Sequence, residues 1–211
     1  MNYWNNIYEK GSIHTNPSKE IVALISRLKS ERVINILDAG CGTGRHSLFL
    51  ANQGFSVSGI DISSEAIMVA KNNDSKKIVD YCVGELIDLP YQKSSMDFIL
   101  ANHSLEYASN EDVLKTVNEF NRVLKKNGII LLRVVSTKHP FYGSSPKDVY
   151  GFSHVGFCIQ HSLPVSFFTE EKLRQLFKNY KIERLEHISH EVDHEKISVP
   201  LKEWILLGYK E

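Results

Sequence analysis

Two spacings of apolar residues alternate along this chain. Short apolar runs, each closed by a polar or small residue, recur at Val33–Leu37, Phe55–Ile60, Ile78–Val83, Phe98–Ala101 and Ile129–Val135. Between them the apolar positions fall at helical spacing. Pro17 opens one such pattern with Ile21, Leu24, Ile25 and Leu28 on one face. Arg45–Asn52 carries Leu48, Phe49 and Ala51 and is stopped by Gly54. Ser63 or Ser64 caps a third helix that runs to about Lys71. Asn110–Lys125 is amphipathic through Val113, Val117, Phe120 and Leu124, with Asn127-Gly128 as its closing turn. Thr169 caps a short helix to about Phe177, and Lys181–Ile188 and Trp204–Tyr209 are two closing strands. Strand and helix alternating through short joins predict parallel βαβ units, hence an α/β sheet with helices on both faces. The unbroken apolar run at 129–135 fits a strand covered on both sides.

Two segments break the rhythm. The first sixteen residues are polar and aromatic, and Tyr3, Trp4 and Tyr8 are expected to pack on something rather than trail in water. Residues 1–30 are therefore read as a cap segment and helix. Residues 136–168 are rich in glycine, histidine and aromatic rings, and a long irregular segment in an otherwise regular domain is expected to be a functional lid.

Composition narrows the class. At 211 residues, 42% hydrophobic and 24% charged, the chain has enough apolar material for one folded domain over 1–211 and is not a low-complexity scaffold. Twenty-five basic and twenty-five acidic residues cancel, which argues against a partner held by bulk phosphate contacts. Cys41, Cys82 and Cys158 form no C-x-x-C spacing, so neither a disulfide framework nor a cysteine zinc site is expected. No leader pattern precedes Pro17, and the longest apolar stretch, Ile129–Val135, is interrupted by Arg133 and far too short to span a bilayer. The expectation is a reduced, cytoplasmic protein without a membrane partner, as monomer or homodimer.

The candidate chemistry starts at Asp38-Ala-Gly40-Cys-Gly42-Thr-Gly44, between the first strand and the helix after it. Glycines there let the backbone approach a ligand, and the helix aims free N–H groups at an anionic part of it. The dinucleotide fingerprint G-x-G-x-x-G would place its third glycine at Arg45, so a nicotinamide cofactor is disfavoured. LDAGCGTG resembles the first motif of the class I S-adenosylmethionine-dependent methyltransferases, and the resemblance extends over about residues 31–211. It implies a doubly wound, Rossmann-like seven-stranded sheet, mostly parallel, with the last strand antiparallel. Asp61 ends the second strand, where a carboxylate can accept from both hydroxyls of a ribose; the family places Ile62 against adenine. Gly84-Glu85-Leu86-Ile87-Asp88-Leu89-Pro90 resembles the family's G-D-x-x-D-L-P segment, which puts Glu85 and Leu86 at adenine and leaves Asp88 to order the loop. Asn102-His103-Ser104-Leu105 resembles the segment at the methionine end. The implied cofactor is S-adenosyl-L-methionine, held by Asp38, Gly40, Gly42, Gly44, Asp61, Ile62, Glu85, Leu86, Asn102 and His103.

Methyl transfer from a sulfonium needs alignment and a dry site, and no metal. A general base is needed only for an acceptor that carries its proton at neutral pH. Candidates are His103, Tyr107 and His139, with Tyr142, His154 and His161 in the expected lid. The chain reads N-H-S-L where methyltransferases of planar amides and exocyclic amines read N-P-P-[YF]. Ser136–Gly143 and Ser166–Leu173 look like the small-molecule branch, including tellurite-resistance-type proteins, so the expected acceptor is a small molecule. Two rivals remain: a non-catalytic sensor of the same cofactor, and a zinc hydrolase built on the H-E-x-x-H match His190-Glu191-Val192-Asp193-His194. That stretch is expected instead to be the turn between the last two strands.

Overall fold

A computed structural model describes residues 4–5, 8, 16–140, 142, 153–154, 164–194 and 197–211. The parallel units come first: β1 (Asn35–Ala39), β2 (Ser56–Asp61), β3 (Val79–Val83), β4 (Met96–Asn102) and β5 (Leu124–Val135). Helices α1 (Lys19–Ser30), α2 (Arg45–Asn52), α3 (Ser64–Asn73) and α4 (Asn110–Val123) alternate with them. A two-residue pair, β6 (Ser153–His154) with β7 (Pro164–Val165), follows, then α5 (Glu170–Leu176), β8 (Tyr180–His194) and β9 (Ile197–Lys210). The main sheet has seven strands in the order β3-β2-β1-β4-β5-β9-β8, and β9 runs antiparallel to both of its neighbours. This is the doubly wound, mostly parallel architecture expected from the alternation.

Alternate residues of each central strand feed two cores. Leu37, Ile99, Ile130 and Leu132 pack under α4 and α5 with Val117, Phe120 and Phe177, while Ile36, Phe98, Ile129 and Leu131 pack under α1 and α2 with Ile21, Leu28 and Leu50. Both faces are thus dry, which is why these strands read as continuous apolar runs. Local polar residues set the helix starts. The hydroxyls of Ser63, Ser109 and Thr169 accept from the backbone N–H of Ala66, Asp112 and Lys172 at 3.0–3.1 Å.

Two boundaries differ from the sequence expectation. Asn127-Gly128 does not close a helix: α4 stops at Val123, Leu124 already pairs with Met96, and the register then jumps to Phe98–Ile129. The extra residues are accommodated as a bulge with Asn127 at φ +60°. The second difference is His190–His194, which is strand rather than turn, paired from His190–Leu201 through His194–Ile197. A four-residue step along a strand spans about 13 Å of backbone, against about 6 Å on a helix, so the helical spacing that the metal motif needs is not present at His190–His194. Among the described residues no group of three histidine, cysteine or acidic side chains is placed to hold a metal ion. No described helix is long and apolar enough to cross a membrane. Tyr3, Cys158 and His161, and most of 136–168, lie outside the described residues. The two ends of that segment meet on one rung: Ser136 bridges Phe168, and the Phe168 N–H donates to the Val135 carbonyl at 3.0 Å.

Candidate active site

Strand order reverses between β1 and β4, and open α/β sheets bind ligands beyond the carboxyl ends of strands at such a point. A cleft opens there. Gly40 and Ser104 form its floor, Asp61 and Ile62 one wall, and Glu85 and Leu86 the other. Leu105, Ala108 and Thr116 extend it along α4, and Trp4, Tyr8 and Tyr107 roof it.

The floor depends on backbone shape. Gly40 lies at φ +75°, and its N–H and that of Cys41 both donate to the Ile60 carbonyl, at 2.8 and 3.0 Å. A Cβ on Gly40 would overlap the Cβ of Ser104, whose hydroxyl donates to the Ala39 carbonyl at 2.7 Å. The loop is tied across the cleft by Asp61: one carboxylate oxygen accepts from the Gly42 N–H at 2.8 Å and the other from the Ser63 N–H at 2.9 Å. Burial pushes the Asp61 pKa up, and these backbone donors work against the rise. A carboxylate has about four lone-pair sites, so beside the Gly42, Ser63 and Ile62 donors the group keeps acceptor capacity for a ligand in the cleft. Ile62, the next residue, is 44% exposed on the same wall and offers an apolar face to a flat ring.

Asp38 has a different place. It is buried in β1, accepts from the Ser47 hydroxyl of α2 at 2.5 Å, and does not line the cleft. Burial pushes its carboxyl up to about 6 from the ordinary 3.8. A raised folded-state value means that the ionised form opposes folding. The penalty is absent below the ordinary value and grows as pH rises through about 6. Asp38→Asn is therefore expected to stabilise the fold at pH 8 relative to pH 4, by about 2 kcal/mol. Thermal unfolding at the two pH values checks this, and an equal effect at both would mean that Asp38 is solvated.

The far end of the cleft is ionic. His103 follows β4 with φ +57°, an uncommon backbone for a non-glycine residue and one that often marks a site. Its Nδ1 lies 2.7 Å from Glu106 Oε1, and its Nε2 lies 2.9 Å from Glu203 Oε1. Both carboxylates are fully buried. Burial disfavours the charged ring, but the two carboxylates outweigh it and hold the His103 pKa at about 9. The roof comes from the N-terminal residues: Trp4 meets Tyr107 edge-on at 4.7 Å, and Asn5 accepts from the Ser63 hydroxyl at 2.7 Å. Burial, with Asp61 nearby, pushes the Tyr8 phenol pKa up, so the phenol stays neutral.

The structure thus brings Gly40, Asp61, Ile62, Glu85, Leu86, His103 and Tyr107 together around one cleft. Gly42 and Gly44 shape the loop behind it, and Asn102 sits in the strand pairing with Arg133. His139 is buried off the cleft, its pKa lowered by burial, with its ring 6.3 Å from that of Phe167. Tyr142 packs on the same Phe167 ring, at 5.2 Å. Sequence reasoning missed Glu106, Thr116 and Glu203 and placed Ser104 only within the segment at the methionine end. Glu106, three residues after His103, was open to notice, whereas Glu203 becomes visible only through its register opposite Val135.

Strand order and a glycine loop tied to the carboxylate that ends β2 give a doubly wound domain with its ligand loop at the strand ends, and both its sequence and its fold are similar to those of known methyltransferases. Residues 37–132 match the family model described as a methyltransferase domain. Among curated relatives, the chain is 30% identical over 113 residues to malonyl-[acyl-carrier protein] O-methyltransferase of Buchnera aphidicola, covering 54% of this chain and 44% of that protein. It is 32% identical over 124 residues to glycine/sarcosine N-methyltransferase of Aphanothece halophytica, covering 56% of this chain and 47% of the relative. The chain thus matches less than half the length of either relative. A solved S-adenosylmethionine-dependent methyltransferase of Methanosarcina mazei superposes with TM-score 0.75 at 22% identity, covering 92% of this chain and 98% of that one. The cofactor of the family fits the residues present. Gly40 brings no side chain to the cleft, Asp61 retains acceptor capacity for a diol, and Ile62 and Leu86 supply apolar surface to the lining.

Proposed function

We propose that this chain transfers a methyl group from S-adenosylmethionine to a small-molecule acceptor in the cytoplasm, acting as a monomer or homodimer and without a nucleic-acid partner. The observation that carries the proposal is the Asp61 carboxylate, which ties the glycine loop and still faces the cleft. When bound, the cofactor supplies an electrophilic methyl on a sulfonium. The chain's part is to hold and orient it. Gly40, Gly42 and Gly44 let the backbone close on the methionine end, Asp61 takes the ribose, and Ile62, Glu85 and Leu86 take the adenine. Asn102 and His103 bound the reacting end, and Asp38 supports the loop through α2. Trp4, Tyr8 and Tyr107 exclude water from above. Orientation of this kind supplies several kcal/mol, up to about 7–11 in favourable cases.

The domain runs over 1–211, with 1–30 as cap and 136–168 as the acceptor lid. A small acceptor is supported by the zero net charge. Relatives of similar identity are named for acceptors as different as an acyl-carrier-bound malonyl group and glycine, so the acceptor is set by the lid rather than by the shared core. Tyr107 is the remaining candidate to take the proton of a protonated nucleophile, since His139 lies off the cleft.

Calorimetric titration with S-adenosylhomocysteine tests the cofactor reading, and turnover of labelled S-adenosylmethionine against thiols, phenols, carboxylates and amines tests the transfer. Stoichiometric micromolar binding with turnover of one class is the expected outcome. No binding at millimolar ligand would overturn the reading, and binding without any turnover would leave a sensor.

A further inference from the structure

The ionic group beneath the cleft is larger than the site requires, and it is assembled from distant parts of the chain. Glu203 Oε2 accepts from Arg133 Nε at 2.9 Å and from its NH2 at 2.6 Å. Arg133 NH1 in turn lies 3.6 Å from Glu20 of α1. His190 of β8 approaches from the other side, its Nδ1 3.7 Å from Glu203 and its Nε2 3.4 Å from Arg133 NH2. His139 feels the Glu203 and Lys202 charges, and Arg45 of α2 feels that of Arg133. Glu203 is therefore the junction between an arginine of the sheet and the histidine of the cleft.

We propose that Glu203 is a positioning residue for the transfer site: from the antiparallel strand β9 it closes one side of an ionic bracket whose other side is Glu106, and so fixes the His103 ring as a cationic wall of the methionine end. This rests on the reading of that end of the cleft given above. The argument is geometric. A left-handed residue at a strand end has few backbone contacts to set its side chain. The His103 backbone N–H donates to the Arg133 carbonyl at 3.0 Å, and the two carboxylates lie at the two ring nitrogens. With a carboxylate at each nitrogen, the ring holds a proton on both. It has no lone pair with which to take one from an acceptor, so its role is shape and charge.

The raised His103 value agrees with this, as does that of Glu203, which the charged ring and Arg133 pull down to about 2 against burial. The His103 contribution is complete below 6.5 and is lost as pH rises through about 9. The Glu203 contribution is complete above 4.5 and is lost as pH falls through about 2. The bracket is therefore closed at neutral pH.

The test combines ring nitrogen resonances of 15N-histidine-labelled protein, with His103 assigned from the His103→Gln spectrum, and calorimetry with S-adenosylhomocysteine between pH 6 and 9. In the wild type both His103 nitrogens are expected to be protonated at pH 7.5, and the affinity flat from pH 6 to 8. Glu203→Gln is expected to lower the ring pKa by about 1 or more, and the affinity then to fall by about threefold or more as the ring loses its proton. Glu203→Asp, which keeps the charge, restores a flat profile. An unmoved ring pKa in Glu203→Gln, or an affinity loss equal at every pH, would reduce Glu203 to a structural residue. A neutral His103 in the wild type at pH 7.5 overturns the bracket without any variant, even if Glu203→Gln fails to fold. Absence of ligand binding in the wild type would strike the cofactor reading, while the ring titration would still report on the bracket.

Discussion

Asp61→Ala is expected to weaken S-adenosylhomocysteine binding by roughly 30- to 150-fold, about 2–3 kcal/mol, at neutral pH. Two effects add. The ribose loses an ionised acceptor, and hydrogen bonds to a charged group are worth roughly 1.5–3 kcal/mol each. The Gly42 and Ser63 N–H groups also lose their common partner, so the loop and the first turn of α3 are no longer held together before the ligand arrives. Asp61→Asn separates the two effects. One amide oxygen still accepts a single N–H, but the NH2 group faces a donor on the other side, so the loss should approach that of alanine. Calorimetry gives the affinities, and amide exchange at Gly42 and Ser63 reports the loop. Unchanged affinity in Asp61→Ala would mean that the ribose lies elsewhere.

The second large effect is on stability. Gly40→Ala is expected to cost about 3 kcal/mol or more, which in a domain of this size is a fall in Tm of roughly 6–12 °C. The new Cβ has no room. It meets the Ser104 Cβ, which is anchored by its hydroxyl to Ala39, and the φ of +75° disfavours any side chain there. The strand end cannot withdraw without breaking the bonds from Gly40 and Cys41 to Ile60, nor Ser104 without breaking its own to Ala39. Gly42→Ala makes the contrast. Its Cβ would meet the Tyr8 hydroxyl at 2.9 Å, the movable end of a side chain in the roof. The fold should survive with a much smaller fall in Tm, and the loss should appear in ligand affinity as the roof lifts. Scanning calorimetry with and without S-adenosylhomocysteine distinguishes the two. A Gly40→Ala protein as stable as the wild type would remove the close-approach argument for this loop.

Much of this was legible in the residues because the signals were local. Two dry faces make the central strands continuous apolar runs, and a single serine or threonine marks the starts of α3, α4 and α5. The glycine loop announces itself by type and spacing, and Arg45 where a dinucleotide loop needs glycine removes the main competitor. The features that escaped are those settled by pairing across the sheet. Asn127-Gly128 looks like a helix stop, yet Leu124 is claimed by Met96 and the turn becomes a bulge. His190–His194 carries a helical metal motif and a turn-like composition, but β9 pairs with it residue by residue. Glu203 sits one hundred residues from His103 in a stretch with no motif, and only the β5–β9 register brings the two together.

The rung that joins Ser136 to Phe168 separates two kinds of variation. The segment between them departs and returns at the same place on β5, with the Thr137 N–H donating back to the Phe168 carbonyl at 3.0 Å. The returning end is fastened by Ser166, whose N–H and hydroxyl donate to the carbonyls of Glu106 and Ala108 at 2.7 and 2.8 Å, beside the cleft. A loop pinned at one point costs only about 0.6 kcal/mol more for each doubling of its length. Its length and sequence can therefore drift, or be exchanged wholesale, with little penalty to the sheet. If that segment is the acceptor lid proposed above, acceptor preference and fold stability are nearly independent traits, and a new specificity is reached by rewriting one segment while the sheet stays as it is.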